Sequence, residues 1–555
     1  MFDRKIRIGL LIQSDQIPSW AYHMLERINA SPNTEIALVI KKKADLEGQG
    51  ESFIQGLISH PKERLFRLFR KLDKRRNNPK PNAFIPRNLW DLIDCPKLEI
   101  STKSTKFSDR VLPEDIEKIR AYDLDLLFRS GYNILRGDIL TVTRYGIWSY
   151  HHGDNKVNRG GPAGTWEVLE GWDENGALLQ ILTEDLDGGI TLSESTIQTN
   201  KKSLIGNRNT LYWKASSMLP RKIEELHRLG EKKFFEQVDE QNAAPSFYYN
   251  RLYKMPTNAQ MRSVFLKNYW ERFRRKISKK FYFDQWILLF ELKKKENISS
   301  SFFRFKRIVP PKDRIWADPF VIERNGKYYI FLEELLLKGK KKAHISVIEM
   351  DEKGEYSTPQ KVLETDFHLS YPFLIEEGAE LYMIPESNDN KTIDLYRCTD
   401  FPLKWEYHSN IMNNVVASDS TIFRHNNKYW MFTNIKEVPG ATTLDELFLF
   451  YSDDLLSGEW TPHPLNPIIS DVKFARPAGN IFEHKGRIYR PAQDNSGHYG
   501  RAMNLREIVR LDEEEFEEKT VQSVYPNWDK DLLSTHTLNN SGKLTVIDAL
   551  IKRRR

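Results

Sequence analysis

The second half of this chain repeats itself, and the repeat narrows the folds open to it. Five runs share one pattern: ADPFVIERNGKYYIFLEE from 317, SYPFLIEEGAELYMIPES from 370, ASDSTIFRHNNKYWMFTN from 417, RPAGNIFEHKGRIYRPAQD from 476 and STHTLNNSGKLTVIDA from 534. Each reads as a strand, a polar turn carrying Gly or Asn, and a second strand rich in apolar and aromatic residues. One such unit cannot bury its own apolar face, so units about 50 residues apart must stack on one another. Short strands at that period predict propeller blades, and five runs predict five blades. The run QWILLFEL at 285–292 then supplies a strand that closes the ring against the last blade. Aligning the apolar pair before each turn makes Asp318, Tyr371, Asp419 and Ala478 equivalent positions.

Residues 1–200 follow a different rule. Apolar runs at 6–12 and 35–42, then LEIST at 98–102, LDLLFRS at 124–130 and GIWSYHH at 146–152, read as strands with helical patterns between them. Strands separated by helices imply a parallel sheet with crossovers, a Rossmann-like α/β domain whose ligands collect at the carboxyl ends of the strands. A polar, basic and helical stretch over 201–284 reads as a connector. The expected organisation is therefore multidomain: an α/β domain at 1–200, the connector, and an all-β five-bladed propeller at 285–555. Within the first domain, segment 62–76 places Leu65, Phe66, Leu68, Phe69 and Leu72 on one helical face and bases on the other. That pattern suits a helix packed on the domain with a solvated basic face, or an interfacial helix in peripheral contact with anionic lipid.

The formal net charge of +7 is modest for 555 residues. It fits acidic partners such as phosphorylated substrates or a membrane surface, and with no recognised motif beside it no nucleic acid is expected. Cys95 and Cys398 stand far apart, which argues against a disulfide framework and fits a reducing compartment. The amino-terminal apolar run IGLLI is too short for a signal peptide, and no later window approaches a membrane span. The expectation is a cytoplasmic protein, membrane-associated only from the outside.

The strand at 146–152 ends in an unusual concentration of chemistry. GIWSYHHGDNKVNRGG places Ser149, His151 and His152 at its carboxyl end, Asp154 in the next loop and Arg159-Gly160 ahead of a helix; LLQILTEDLDGGITL follows with Asp187. In order and spacing, His151, Arg159-Gly160 and Leu186-Asp187-Gly188-Gly189 resemble the formyltransferase family, which includes methionyl-tRNA and sugar N-formyltransferases. The resemblance extends loosely over residues 4–198. It implies formyl-tetrahydrofolate as cofactor and a catalytic group of His151, Asp187 and Ser149. His151 would donate to the oxyanion or shuttle the amine's proton, with Asp187 orienting it and accepting the proton. Gly131, His152, Asp154, Arg159 and Gly160 would line the substrate and cofactor site. Two departures bear on this. Ser149 replaces the family's Asn, and losing one oxyanion donor costs about a hundred- to a thousandfold in rate. Gly153-Asp154-Asn155-Lys156 replaces the Ser-Leu-Leu-Pro loop of the folate pocket. No metal is expected at His151, His152 and Asp154, because adjacent residues on a strand point apart.

In a propeller the inner strands line a central funnel, which places Asp318, Glu386, Asp419, Arg476, Arg490, Gln493, Asp494 and His536 there. WADPF, GRIYRPAQD…YG and THTLN…LTVIDA make residues 285–551 similar to five-bladed propellers of the arabinanase and β-xylosidase type. They more closely resemble the N-terminal domain of plant glucosamine inositolphosphorylceramide transferases. The glycosidase resemblance would make Asp318 the first Asp and Asp419 the Asp that tunes the acid. The acid itself is missing, since ARPAGNIF stands where a Glu would begin the fourth blade's strand; Glu386 and Glu334 are the substitutes at hand. Together these readings lead to a transferase of surface-glycan biosynthesis that formylates an amino sugar or sugar nucleotide, with a propeller that binds or processes the glycan. Two alternatives stay open: a glycan transferase or glycoside hydrolase with its chemistry in the propeller and a silent first domain, and a non-enzymatic glycan-binding scaffold.

Overall fold

The computed structural model describes residues 4–43, 53–105, 107–185, 188–245, 247–339 and 342–555. The chain divides into two units, Met1–Lys267 with Val438–Ala441, and Asn268–Glu437 with Thr442–Arg555.

The first unit is built on a seven-stranded sheet. Its strands are β1 (Ile6–Ile12), β2 (Thr34–Lys42), β3 (Lys97–Ile100), β4 (Leu126–Ser130), β5 (Ile147–His151), β6 (Glu174–Ile181) and β7 (Ile190–Gln198), in the order β7-β6-β5-β4-β1-β2-β3. From β3 to β5 all neighbours pair in parallel. Near-continuous apolar strands such as IRIGLLI suit a sheet covered on both faces. β6 and β7 run antiparallel, so the sheet is mixed rather than parallel throughout. The connection from Ile181 to Ile190 is too short for a crossover, which takes about a dozen residues, and so folds back as a hairpin. Strand order reverses between β1 and β4, and ligand crevices of such sheets open there, at the carboxyl ends.

Helices Ser19–Ala30, Leu204–Ala215, Met218–Leu229 and Glu231–Gln241 pack on this sheet, burying Trp20, Met24, Leu211, Ile223 and Phe234 in one core with Phe128 and Trp148. Residues 204–241, read from sequence as connector, thus complete the core of the α/β unit. Segment 62–76 folds mainly as helix Arg64–Arg76. Phe66 is buried against Trp166, Leu204 and Met261, and Asp73 accepts from Ser203 Oγ at 3.0 Å and the Ile205 amide at 2.8 Å. Leu68 and Leu72 are 42% and 47% exposed, so the five apolar residues do not share one covered face. No helix among the described residues is long and apolar enough to cross a membrane.

The second unit is β-rich. Four sheets of four strands follow one another in chain order, beginning with Arg314–Arg324, Ser370–Glu377, Ala417–His425 and Phe482–His484. A fifth sheet pairs Tyr282–Leu292 with Leu544–Arg554 along their whole length. In the first three sheets the opening strand is interrupted at the same place, between Ala317 and Phe320, Ser370 and Phe373, and Ser418 and Thr421. The interruptions carry left-handed residues, Asp318 (φ 49°), Tyr371 (φ 45°) and Asp419 (φ 54°). Non-glycine residues rarely take this conformation, and an interrupted ladder of this kind re-aims the side chain it carries. Before the fourth sheet the left-handed residue is Gly479 (φ 119°), one position beyond the Ala478 chosen by sequence alignment. A Cβ at Gly479 would lie 2.1 Å from the Leu538 carbonyl oxygen, so this approach of two backbones excludes a side chain.

Candidate active site in the β-rich unit

Buried charges of the second unit gather at these interrupted strands. Arg476 donates from Nε to Asp419 Oδ2 at 2.6 Å, and from Nη2 to Asp419 Oδ1 at 3.0 Å and Glu386 Oε2 at 2.9 Å. Gln493 Nε2 donates to Asp419 Oδ2 at 2.7 Å, and Asn388 Nδ2 to Glu386 Oε1 at 2.7 Å. Nearby, Asp548 accepts from the amides of Asp318, His536 and Thr537, and from His536 Nδ1 at 2.6 Å. That bond leaves His536 Nε2 facing Asp318, 3.7 Å from Oδ1, while Thr537 Oγ1 donates to the same oxygen at 2.8 Å. Trp286 stacks on the imidazole with centroids 4.3 Å apart. Asp318, His536 and Asp548 form the one group among the described residues with ligand atoms close enough for a metal ion. Both oxygens of Asp548 are already taken by three amides and the imidazole, so protons satisfy the group as it stands.

Glu333 completes the centre. Burial, reinforced by the charge of Asp318, pushes its carboxyl from 4.5 to about 8. Burial also raises Asp318, but the opposing charge of His536 limits the rise to about 6. For His536 burial works the other way, yet the Asp548 carboxylate prevails and lifts it to about 9. Burial raises Glu386 as well. His368 Nδ1 accepts from the Ala343 amide at 3.2 Å, and its Nε2 lies 3.4 Å from Glu333 Oε1. The Glu333 side chain is 12% exposed against 5% for Asp318, so it is the more accessible of the two.

The neighbouring Glu334 has a different fate, as alternation along a strand requires. It accepts from Arg314, Trp316, His344 and Ser346, and these donors outweigh its burial and hold it down to about 2. Glu334 is thus a structural carboxylate, and Glu386 is the partner of Arg476. Glu333 was not singled out from the sequence, although a signal existed: it lies opposite Ala317 as Glu386 lies opposite Ser370. Aligning the second strands, YYIFLEE with LYMIPES, brings the two glutamates together. Of the other expected funnel residues, Arg490 is committed to Glu518 and the carbonyls of Phe474 and Ala475, and Asp494 accepts from the amide and hydroxyl of Ser496. Neither is hydrogen-bonded to the Asp419–Arg476 cluster.

In the first unit, Ser149 and His151 do stand at the carboxyl end of β5, and Asp187 lies outside the described residues. Ser149 is buried, with Oγ accepting from Arg129 Nη1 at 3.1 Å. His151 Nε2 lies 3.1 Å from the carbonyl of Asn158, in the loop that follows. His152 stacks on Tyr212 at 3.7 Å, and burial pushes it down to about 3, a neutral packed ring rather than a ligand-facing one. Asp154 shapes its own turn by accepting from the Lys156 amide at 2.7 Å. Arg159 donates to the Asn155 carbonyl and lies over Tyr248, and a Cβ at Gly160 would meet Tyr253 O at 2.0 Å. Gly131 follows β4 at the strand reversal with φ 101°. The loop after β5 thus packs against its own backbone and segment 248–253.

Residues 310–539 match the family model described as glucosamine inositolphosphorylceramide transferase 1, N-terminal. This region contains Asp318, Glu333, Glu386, Asp419, Arg476 and His536. Over 207 residues the chain is 33% identical to glucosamine inositolphosphorylceramide transferase 1 of Oryza sativa subsp. japonica, 37% of this chain and 28% of that protein. The chain thus spans little more than a quarter of the relative's length. Two solved structures are also similar. One is a family 117 glycoside hydrolase of Zobellia galactanivorans, with TM-score 0.32 and 11% identity over 49% of this chain and 90% of that one. The other is glycinamide ribonucleotide transformylase 1 of Symbiobacterium toebii, with TM-score 0.26 and 17% identity over 41% of this chain and 90% of that one. Scores at this level carry no weight for function.

Proposed function

We propose that this chain is a glycan-modifying enzyme whose reaction takes place at the carboxylate centre of the β-rich unit, with the five sheets as blades of a closed propeller around it. The observation that carries the reading is a pair of buried carboxyls in unlike settings: Asp318 is held by Thr537 and faces His536, while the more accessible Glu333 is raised by burial and by the charge of Asp318. Near neutral pH Glu333 holds a proton and Asp318 does not, the division of labour that breaking a glycosidic bond requires. Glu333 protonates the leaving oxygen. Asp318 faces the positive charge that develops on the sugar, its free orientation limited by Thr537 and His536. Arg476 and Gln493 fix Asp419 beside them. Transfer and hydrolysis share this step and differ in whether a hydroxyl or water takes the sugar carbon. The likeness of 310–539 to a region of glucosamine inositolphosphorylceramide transferases supports an amino sugar as the group moved and a glycan or glycolipid as its partner. The test is the double variant Asp318→Asn with Asp419→Asn, which keeps shape and removes charge. Sugar transfer from a panel of nucleotide-linked amino sugars to glycan acceptors, read by mass, is expected to fall at least about a hundredfold. Unchanged turnover would leave the β-rich unit a scaffold.

A second reading, formyl transfer to an amino sugar in the first unit, is favoured by Ser149 and His151 at the end of β5, next to the strand reversal. On this reading formyl-tetrahydrofolate is the formyl donor, beside His151, whose Nε2 lies 3.1 Å from the Asn158 carbonyl, and Ser149, which accepts from Arg129. On this reading His151→Ala abolishes any formyl mass gain on amino-sugar substrates, and no gain in the unaltered chain sinks it.

A further inference from the structure

Helix Asn258–Phe281 is held down at its start and bare along the rest. Met261 is buried, and Phe265 meets Phe69 edge-on at 5.5 Å. From the next turn Tyr269, Trp270, Phe273, Ile277 and Phe281 recur at helical spacing along one face, each between 46% and 64% exposed. A contiguous row of large apolar side chains on a protein surface marks an interaction site. The same turns carry Arg272, Arg274, Arg275, Lys276, Lys279 and Lys280 against a single carboxylate, Glu271. At 3.6 residues per turn, Arg274 borders the apolar row on one side, and Lys276 and Lys280 border it on the other.

We propose that this helix docks the protein on the surface of an anionic lipid bilayer. It lies in the interfacial plane with the row among the acyl-chain ends and its bases on the headgroups. Cations flanking an apolar stripe on both sides match a surface that is negative at its rim and apolar beneath. Tyr269 and Trp270 supply the amphipathic rings that settle at headgroup level. A second copy is the poorer occupant, since two such helices face to face would set six cations against six. The helix at Arg64–Arg76, where the sequence suggested lipid contact, is by contrast anchored inward through Phe66 and Asp73. The inference is independent of the sugar chemistry proposed above.

The full chain is mixed with vesicles of phosphatidylcholine alone, or with roughly a third phosphatidylglycerol, and sedimented. Partition onto the anionic vesicles is expected to exceed that onto neutral ones by about tenfold or more, and to weaken as salt is raised. Two variants, Trp270→Ser with Phe273→Ser and Arg274→Glu with Lys276→Glu, are each expected to lose that excess. Because these side chains are exposed, both variants should unfold at the temperature of the parent chain. Equal partition onto both vesicle types, or parent-like partition of both variants, overturns the proposal. A self-associated species that dissociates in the Trp270 and Phe273 variant, without vesicle binding by the parent, also overturns it.

Discussion

Glu333→Gln is expected to lower sugar turnover by about a hundred- to ten-thousandfold, the range for removing a positioned general acid, while leaving the fold intact. Glutamine keeps the size and one carbonyl oxygen, and removes only the acidic proton. In the parent enzyme activity requires Glu333 protonated and Asp318 ionised, so the profile falls as pH rises through about 8 and as it drops through about 6. The Gln variant should lose the upper limb. Stability gives a readout that needs no substrate. Glu333 is raised from 4.5 to about 8 in the folded chain, so between those values the folded state holds a proton that the unfolded chain has lost. Stability therefore falls as pH rises through that window. His536, raised from 6.5 to about 9, adds a decline in the same direction. Thermal unfolding followed from mildly acidic to alkaline pH should show a shallower decline in Glu333→Gln than in the parent. A variant with full turnover and an unchanged slope would remove Glu333 from the mechanism.

The repeat was legible because turn chemistry and aromatic strands recur in sequence, and it led to Asp318 and Asp419 directly. What it could not show was which polar side chain at a strand end turns inward. Gln493, Asp494 and Arg490 are close neighbours in RIYRPAQD, yet only Gln493 reaches Asp419; Arg490 finds Glu518 two strands away in its sheet, and Asp494 finds the next turn. Such choices depend on tertiary partners that no local pattern encodes. The same limit explains Glu333 and Glu334. Adjacent and chemically identical, they are driven to about 8 and about 2 by what each faces. In the first unit the strands from Ile6 to His151 could be read from their apolar runs. The role of His152 could not, because a histidine at a strand end and one stacked on Tyr212 look alike in sequence. The mixed sheet was foreseeable from loop length alone, since Ile181 to Ile190 leaves no room for a crossover.

Arg476→Met is expected to carry the largest stability cost of any single change in the centre, about 3–5 kcal/mol, the range for breaking a buried ion pair from one side. Arg476 is the shared donor of Asp419 and Glu386, and all three side chains are nearly inaccessible. Methionine fills most of the space but neutralises neither carboxylate. Glu386, already raised by burial, would then face Asp419 with no cation between them, and one of the two must take up a proton for the fold to persist. The cost should therefore grow as pH rises, because the unfolded chain keeps its carboxylates ionised in water without penalty. Adding Asp419→Asn to Arg476→Met removes one of the two charges and is expected to recover a substantial part of the loss, although Asn can no longer serve the chemistry. Urea unfolding of the parent, the two single variants and the double variant gives the coupling between the residues directly. Simple addition of the two single losses would show that the pair does not interact, and would detach Asp419 from the network on which the proposed acid–base centre depends.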